Sequence, residues 1–137
     1  MRVYLSLGSN LGDKEGNLRH AAELLSRRVG RLVKMSQLYY SAAWGFESKN
    51  SFINCCVAIE TDLSPFELLD TIEQIEREMG RQHKSRNGHY EDRLIDIDIL
   101  YYDDWKIESE RLTIPHPHIE ERDFVRIPLS EIKQTIA

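Results

Sequence analysis

"DRLIDIDILYY", residues 92–102, is the stretch on which the fold turns. It is rich in Ile, Leu and Tyr, the composition of a core strand, yet Asp96 and Asp98 stand in its middle. Side chains alternate across a strand. Ile95, Ile97, Ile99 and Tyr101 are therefore expected on one face, and Leu94, Asp96, Asp98 and Leu100 on the other. A strand of this kind needs one face under a helical layer and a second face that tolerates charge.

The flanking segments supply such a setting. "RVYLSL" (2–7) alternates and stops at Gly8, which predicts a strand. Leu18, Ala21, Ala22, Leu25 and Val29 fall at helical spacing behind Asp13, a candidate N-cap, and Gly30 closes that helix. "RLVKMSQLYY" (31–40) and "FINCCVAIET" (52–61) read as two more strands, separated by the loop "SAAWGFESKN". Ser64, Pro65 and Glu67 form a capping-box start. The helix that follows is expected to bury Phe66, Leu69, Ile72, Ile75 and Met79 and to stop at Gly80. A polar loop, 81–93, leads into the opening strand. "WKI" adds a short edge strand, and the tail from Pro115 reads as turns and short helical pieces. The order β-α-β-β-α-β predicts an α+β ferredoxin-like sandwich, an antiparallel sheet with two helices on one face. No repeat or linker interrupts it, so residues 1–137 are expected to form a single domain.

Bulk properties narrow the function. A chain of 137 residues with 41% hydrophobic and 30% charged residues buries a core without metal or disulfide support. The net charge of −5 argues against a general nucleic-acid binder. The longest apolar run, Cys55 to Ile59, falls far short of the roughly 20 residues of a membrane span. No secretion signal is visible at the N-terminus, so a cytoplasmic protein is expected. Cys55 and Cys56 are adjacent, face opposite sides of a strand and read as inert buried thiols.

Two carboxylates at i and i+2 lie roughly 7 Å apart along a strand. Unpartnered, they would repel. Mg²⁺ removes that cost and takes one or two carboxylates together with substrate phosphates. The alternatives are a solvated acidic patch or an ion pair with a neighbouring arginine. "RQHKSRNGHY" (81–90) shifts the balance, because Arg81, Lys84 and Arg86 stand there without an acid, and Arg93 follows. Cations beside a carboxylate pair suit a polyphosphate. No Walker-type or G-x-G-x-x-G phosphate cradle occurs. Near the end, His116 stands between Arg111 and Arg122 and suits a phosphate hydrogen-bond donor better than a zinc ligand. Trp44, Phe52 and Phe124 are either core aromatics or the faces of a pocket for a flat heterocycle.

Taken together, "YLSLGSNLGD" (4–13), "FINCCVAIET" (52–61), "IEREMGR" (75–81), "RLIDIDIL" (93–100) and "LTIPHPHIEERDFV" (112–125) resemble the 6-hydroxymethyl-7,8-dihydropterin pyrophosphokinases of folate biosynthesis. The resemblance spans nearly the whole chain. It implies a ferredoxin-like fold and transfer of the β,γ-diphosphate of MgATP to the pterin's hydroxymethyl group, with release of AMP. It also implies that Asp96 and Asp98 hold two Mg²⁺ ions, and that Arg81 and Arg93 stabilise the transferring diphosphate. Lys84, Tyr90, Ile99, Arg111, His116 and Arg122 are implied ATP contacts. Phe52 and Phe124 are the implied faces of the pterin sandwich, Asn54 its edge partner, and Ser41, Ala42 and Trp44 the rest of that pocket. The implied partners are ATP and the pterin, with neither nucleic acid nor membrane, and a monomeric state. The chain departs from the family where "YEDR" (90–93) replaces a usual Trp-Gly-Pro-Arg, where Pro117 replaces a usual Tyr, and in its short tail. A non-catalytic regulator and an RNA-binding domain on the same fold are the rival readings. The latter would want a basic sheet with exposed aromatics.

Overall fold

The structure, a computed structural model, describes residues 1–41, 51–80 and 94–133. The elements in chain order are β1 (Arg2–Ser9), α1 (Lys14–Arg28), β2 (Gly30–Met35), β3 (Tyr39–Ser41), β4 (Phe52–Thr61), α2 (Pro65–Glu78), β5 (Asp96–Tyr102), β6 (Ile107–Glu108), β7 (Thr113–Ile114) and α3 (Asp123–Ile132). The main sheet runs β2-β4-β1-β5 with every pairing antiparallel, and β3 extends the β2 edge along β4. Each helical crossover skips one strand, so β1 and β4 lie side by side at the centre. This is the expected α+β sandwich.

Both expected helix starts carry their caps. The Asp13 carboxylate accepts from the Gly16 N–H at 3.1 Å. Ser64 and Glu67 exchange the two hydrogen bonds of a capping box, with Pro65 in the first turn. Leu18, Ala21 and Leu25 of α1 and Leu68, Ile72 and Ile75 of α2 close over Val3, Leu5, Leu7, Cys55, Val57, Ile59, Ile97 and Ile99. Each such Leu, Ile or Val side chain contributes roughly 1.5–3 kcal/mol by leaving water.

Five expectations are modified. The single strand foreseen over 31–40 is two, because Ser36 breaks it: its hydroxyl accepts from the Cys56 N–H at 2.9 Å, in place of a backbone carbonyl. In α2 the buried row is Leu68, Ile72, Ile75 and Glu76, while Phe66 is 40% exposed. Phe66 lies one residue off the i, i+3, i+4 row that faces the sheet. In β5 a bulge places Leu5 opposite Ile99 but Tyr4 opposite Tyr101. Leu100 keeps its expected face, but the extra residue reverses the alternation beyond it, so Tyr101 turns to that face and Tyr102 joins the helix-side core. Finally, the second face is not left open along its length. The tail forms the ten-residue helix α3, whose Val125, Leu129 and Ile132 pack on Cys56, Ala58, Leu100 and Ile119. "WKI" contributes Ile107 to a separate two-stranded ribbon with β7 rather than to the main sheet.

Cys55 and Cys56 do bury on opposite faces of β4. Burial pushes the Cys55 thiol up to about 12 and the Cys56 thiol higher still, which leaves both inert at neutral pH.

Candidate active site

Strand register assembles the site. Gly8 of β1 pairs with Asn54 of β4 on one side and Asp96 of β5 on the other. One step along, Ser6 pairs with Cys56 and with Asp98. Directly opposed residues share a face. Asn54, Asp96 and Asp98 therefore lie on the face that α3 covers further along, with both carboxylates half-buried. Phe52, two residues before Asn54, is on that face too, and pairs with Ser41 of β3.

The Asn54 amide has an unusual setting. It is 6% exposed, and its Oδ1 has no hydrogen-bond partner among the described residues. A Cβ on Gly8 would stand 2.5 Å from Asn54 Nδ2, so the glycine is what makes room for the amide. A buried acceptor without a partner costs about 1–3 kcal/mol, so a ligand donor at this point would recover free energy.

On the helix side, Glu76 of α2 is 4% exposed, and its Oε2 accepts from the Ile97 N–H at 3.0 Å. Ile97 lies between Asp96 and Asp98, so α2 fixes the strand segment that carries both carboxylates. The sequence reading missed Glu76. The signal was present: a carboxylate one turn beyond Ile72, inside the apolar row.

The segment after β7 borders the site. The His116 N–H donates to the Leu100 carbonyl at 3.0 Å. Its Nδ1 accepts from the His118 N–H at 3.2 Å, which places the neutral ring's proton on Nε2. Burial holds the His116 imidazole below its ordinary range; Arg122 and His118 add to that, and Asp96 opposes it. Arg122, just before α3, stands 5.7 Å from the Phe124 ring centre. Phe124 packs on the α3-side core. Arg111 is engaged elsewhere: it pairs with Asp70 and Glu73 of α2, which raise its basicity.

Asp96, Asp98, Asn54, Phe52 and Ser41 thus share one sheet face, and His116 is within electrostatic reach of Asp96 and Arg122. Ile99 faces the helix-side core. Ala42, Trp44, Arg81, Lys84, Tyr90 and Arg93 lie outside the described residues.

Fold and site together define an antiparallel α+β fold of the ferredoxin-like class, carrying a carboxylate pair together with Asn54 and Phe52 on the face opposite α1 and α2. A model of the 7,8-dihydro-6-hydroxymethylpterin-pyrophosphokinase (HPPK) family matches residues 4–134, and the chain belongs to this family of enzymes. It is 50% identical over 131 residues to a 2-amino-4-hydroxy-6-hydroxymethyldihydropteridine pyrophosphokinase of Porphyromonas gingivalis, covering 95% of this chain and 89% of that one. The enzyme of the same name from Bacillus subtilis is 44% identical, covering 98% and 79%. The chain also matches 25% of a mitochondrial folate synthesis bifunctional protein of Pisum sativum at 38% identity, with 97% of this chain covered. A crystal structure of HPPK-DHPS with substrates superposes with a TM-score of 0.73 at 15% identity, over 96% of this chain and 40% of that one; that likeness speaks for the fold. No helix among the described residues is long and apolar enough to cross a membrane.

Proposed function

We propose that this chain transfers the β,γ-diphosphate of MgATP to the hydroxymethyl group of 6-hydroxymethyl-7,8-dihydropterin, releasing AMP, as a step of folate biosynthesis. Its relatives' names support that reading. The observation that carries it is the row Asn54–Gly8–Asp96, which sets an unpartnered buried amide oxygen beside a carboxylate pair.

Asn54 Oδ1 accepts from the N–H edge of the pterin, and Phe52 and Phe124 hold the ring between them. Backbone groups of Ser41 to Trp44 close the pocket. The donor set of Asp96 and Asp98 suits Mg²⁺. Both ligands are hard oxygens on one face, and Mg²⁺ ordinarily takes one or two carboxylates together with phosphate and water. Two bound Mg²⁺ ions would neutralise charge developing on the phosphate oxygens.

Asp96 and Asp98 orient the triphosphate, and Glu76 holds their strand. His116 donates from Nε2 to a phosphate oxygen, and Arg122 adds charge beside it. Arg81 and Arg93 stabilise the transferring group, with Lys84 and Tyr90 as further ATP contacts; Ile99, whose side chain faces the helix-side core, could contribute only its backbone. Arg111 joins them only by leaving Asp70 and Glu73. The pterin hydroxyl attacks the β-phosphorus in line, and no protein general base is assigned. Rate enhancement comes from positioning and charge neutralisation. We take the protein to act in the cytoplasm, as a monomer.

The test is AMP formation from MgATP with and without the pterin. Pterin-dependent AMP supports the reading. A regulator or RNA-binding module would bind without releasing AMP, and that result would sink it.

A further inference from the structure

The first turn of α1 holds both chain positions that flank residues 42–50. Tyr40 Oη donates to Glu15 Oε1 at 2.6 Å. The next-door side chain, Lys14, donates from Nζ to the Ser51 carbonyl at 3.1 Å and to Ser51 Oγ at 3.2 Å. Tyr40 precedes Ser41, and Ser51 precedes Phe52. Two consecutive residues of one helix thus grip the last strand residues before the segment and the first residue after it. We infer that Lys14 and Glu15 are positioning residues for the pterin pocket, a clasp that fixes where Ser41, Phe52 and Asn54 stand. The inference rests on the functional reading given above.

The clasp has a rigid reference. Asn17 Nδ2 donates to the Leu11 carbonyl at 2.9 Å and to Ser9 Oγ at 3.2 Å, which ties the β1–α1 turn to the end of β1. Asp13 caps the helix through the Gly16 N–H. Leu18, Ala21 and Leu25 then seat α1 in the core with no exposure. The same β1 end carries Gly8, the neighbour of both Asn54 and Asp96. Distances from α1 to the pocket are therefore fixed through the chain that also sets the carboxylates.

The neighbouring ladder is short on this side. β3 has three residues, and their partners are Asn54, Ile53 and Phe52. A three-residue strand is weakly held by its own pairing, so the Tyr40–Glu15 bond from its middle residue, with Lys14 on Ser51 just before the partner strand, adds to its placement. Exposed hydrogen bonds of this kind contribute little to global stability. Their effect falls on the geometry of the pocket, where sub-ångström shifts matter. Lys14 and Glu15 belong to α1, on the side of the sheet opposite Asp96 and Asp98, so the pterin complex responds and the chemical step does not.

The experiment compares Tyr40→Phe, Lys14→Met, the double variant and Lys14→Arg with the wild type. Steady-state AMP formation gives kcat and KM for pterin and for ATP, and thermal melting monitors the fold. The expected result is a pterin KM raised about threefold to tenfold in each single variant and further in the double. ATP KM and kcat should stay within about twofold, melting should be unchanged, and Lys14→Arg should recover most of the loss. Calorimetric titration of the pterin in the presence of a non-hydrolysable ATP analogue should show the same weakening. An unchanged pterin KM in the double variant overturns the clasp. So does a rise in pterin KM that tracks a fall in melting temperature, or an equal loss for ATP. A wild-type chain that forms no AMP with the pterin instead refutes the functional reading, and the clasp's role falls with it.

Discussion

Asn54 occupies the space that a side chain on Gly8 would need: a Cβ there would come within 2.5 Å of its Nδ2. Gly8 has no left-handed backbone requirement, so alanine meets no strain in φ. The Gly8→Ala variant is therefore a pure packing probe. It should displace the Asn54 amide, cost about 1–3 kcal/mol of stability, and weaken pterin binding about tenfold or more. Combining it with Asn54→Ala should restore stability by removing the clash, yet leave the pterin affinity low. Denaturant unfolding and pterin titration on Gly8→Ala, Asn54→Ala and the double variant check this. Additive stability losses would show that the two residues do not compete for one space.

Asp96→Asn and Asp98→Asn keep the size of the side chain and remove its charge. Each should lower AMP formation on the order of 10³-fold, the scale on which electrostatic groups at a reacting centre act. Mg²⁺ together with an ATP analogue should raise the wild-type melting temperature and leave the double variant unmoved, because binding to the folded state is what stabilises it. Near-normal turnover in either single variant would end the metal assignment.

Glu76 accepts the N–H of the residue between the two aspartates. Glu76→Leu leaves that buried donor without this acceptor and should cost about 1–3 kcal/mol. It should also raise the KM for MgATP, as the strand carrying both aspartates loosens. Glu76→Gln keeps an acceptor oxygen and should retain more of the stability. Equal losses in the two variants would mean that the charge, and not the hydrogen bond, is what α2 contributes.

His116 titrates below its ordinary range when folded, chiefly because it is buried, with Arg122 and His118 adding to the depression and Asp96 opposing it. The unfolded chain therefore binds more protons than the folded one as pH falls through about 6.5. Stability should rise with pH across that window, and acidification should be destabilising. His116→Asn supplies a non-titrating acceptor for the His118 N–H and should flatten this part of the profile. Unfolding midpoints at pH 7.5 and 5.5 for both proteins decide it. Parallel profiles would remove His116 as the cause.

Much of the architecture was legible because it rests on local chemistry. Ser64, Pro65 and Glu67 announce a helix start through bonds made within one turn, and the structure contains that capping box. Two-residue alternation put Asp96 and Asp98 on a face apart from Ile97 and Ile99, and the register agrees. Phe66 misled because it stands in helical step with Leu69 and Ile72, whereas helix rotation is set by the row of Leu68, Ile72 and Ile75. The bulge at Leu100 left no mark in "ILYY", since residues of every orientation there are apolar. Glu76 was invisible for a related reason: a single carboxylate on a charged helix reads as solvated until its partner across the layer is known.

The chain's own order of residues determined the elements, their caps and the pairing of two acids on one strand, because each depends on neighbours within a few positions. Which residues meet across the sheet was settled by tertiary packing. Asn54 and Asp96 come from strands some forty residues apart in the chain and sit on either side of Gly8 because β1 is hydrogen-bonded to both. The docking of α3 over Cys56 and Leu100, and the grip of Lys14 and Glu15 on Ser51 and Tyr40, have the same origin. Contacts between distant segments depend on register and on the fit of whole surfaces, and neither is written in any short stretch of sequence.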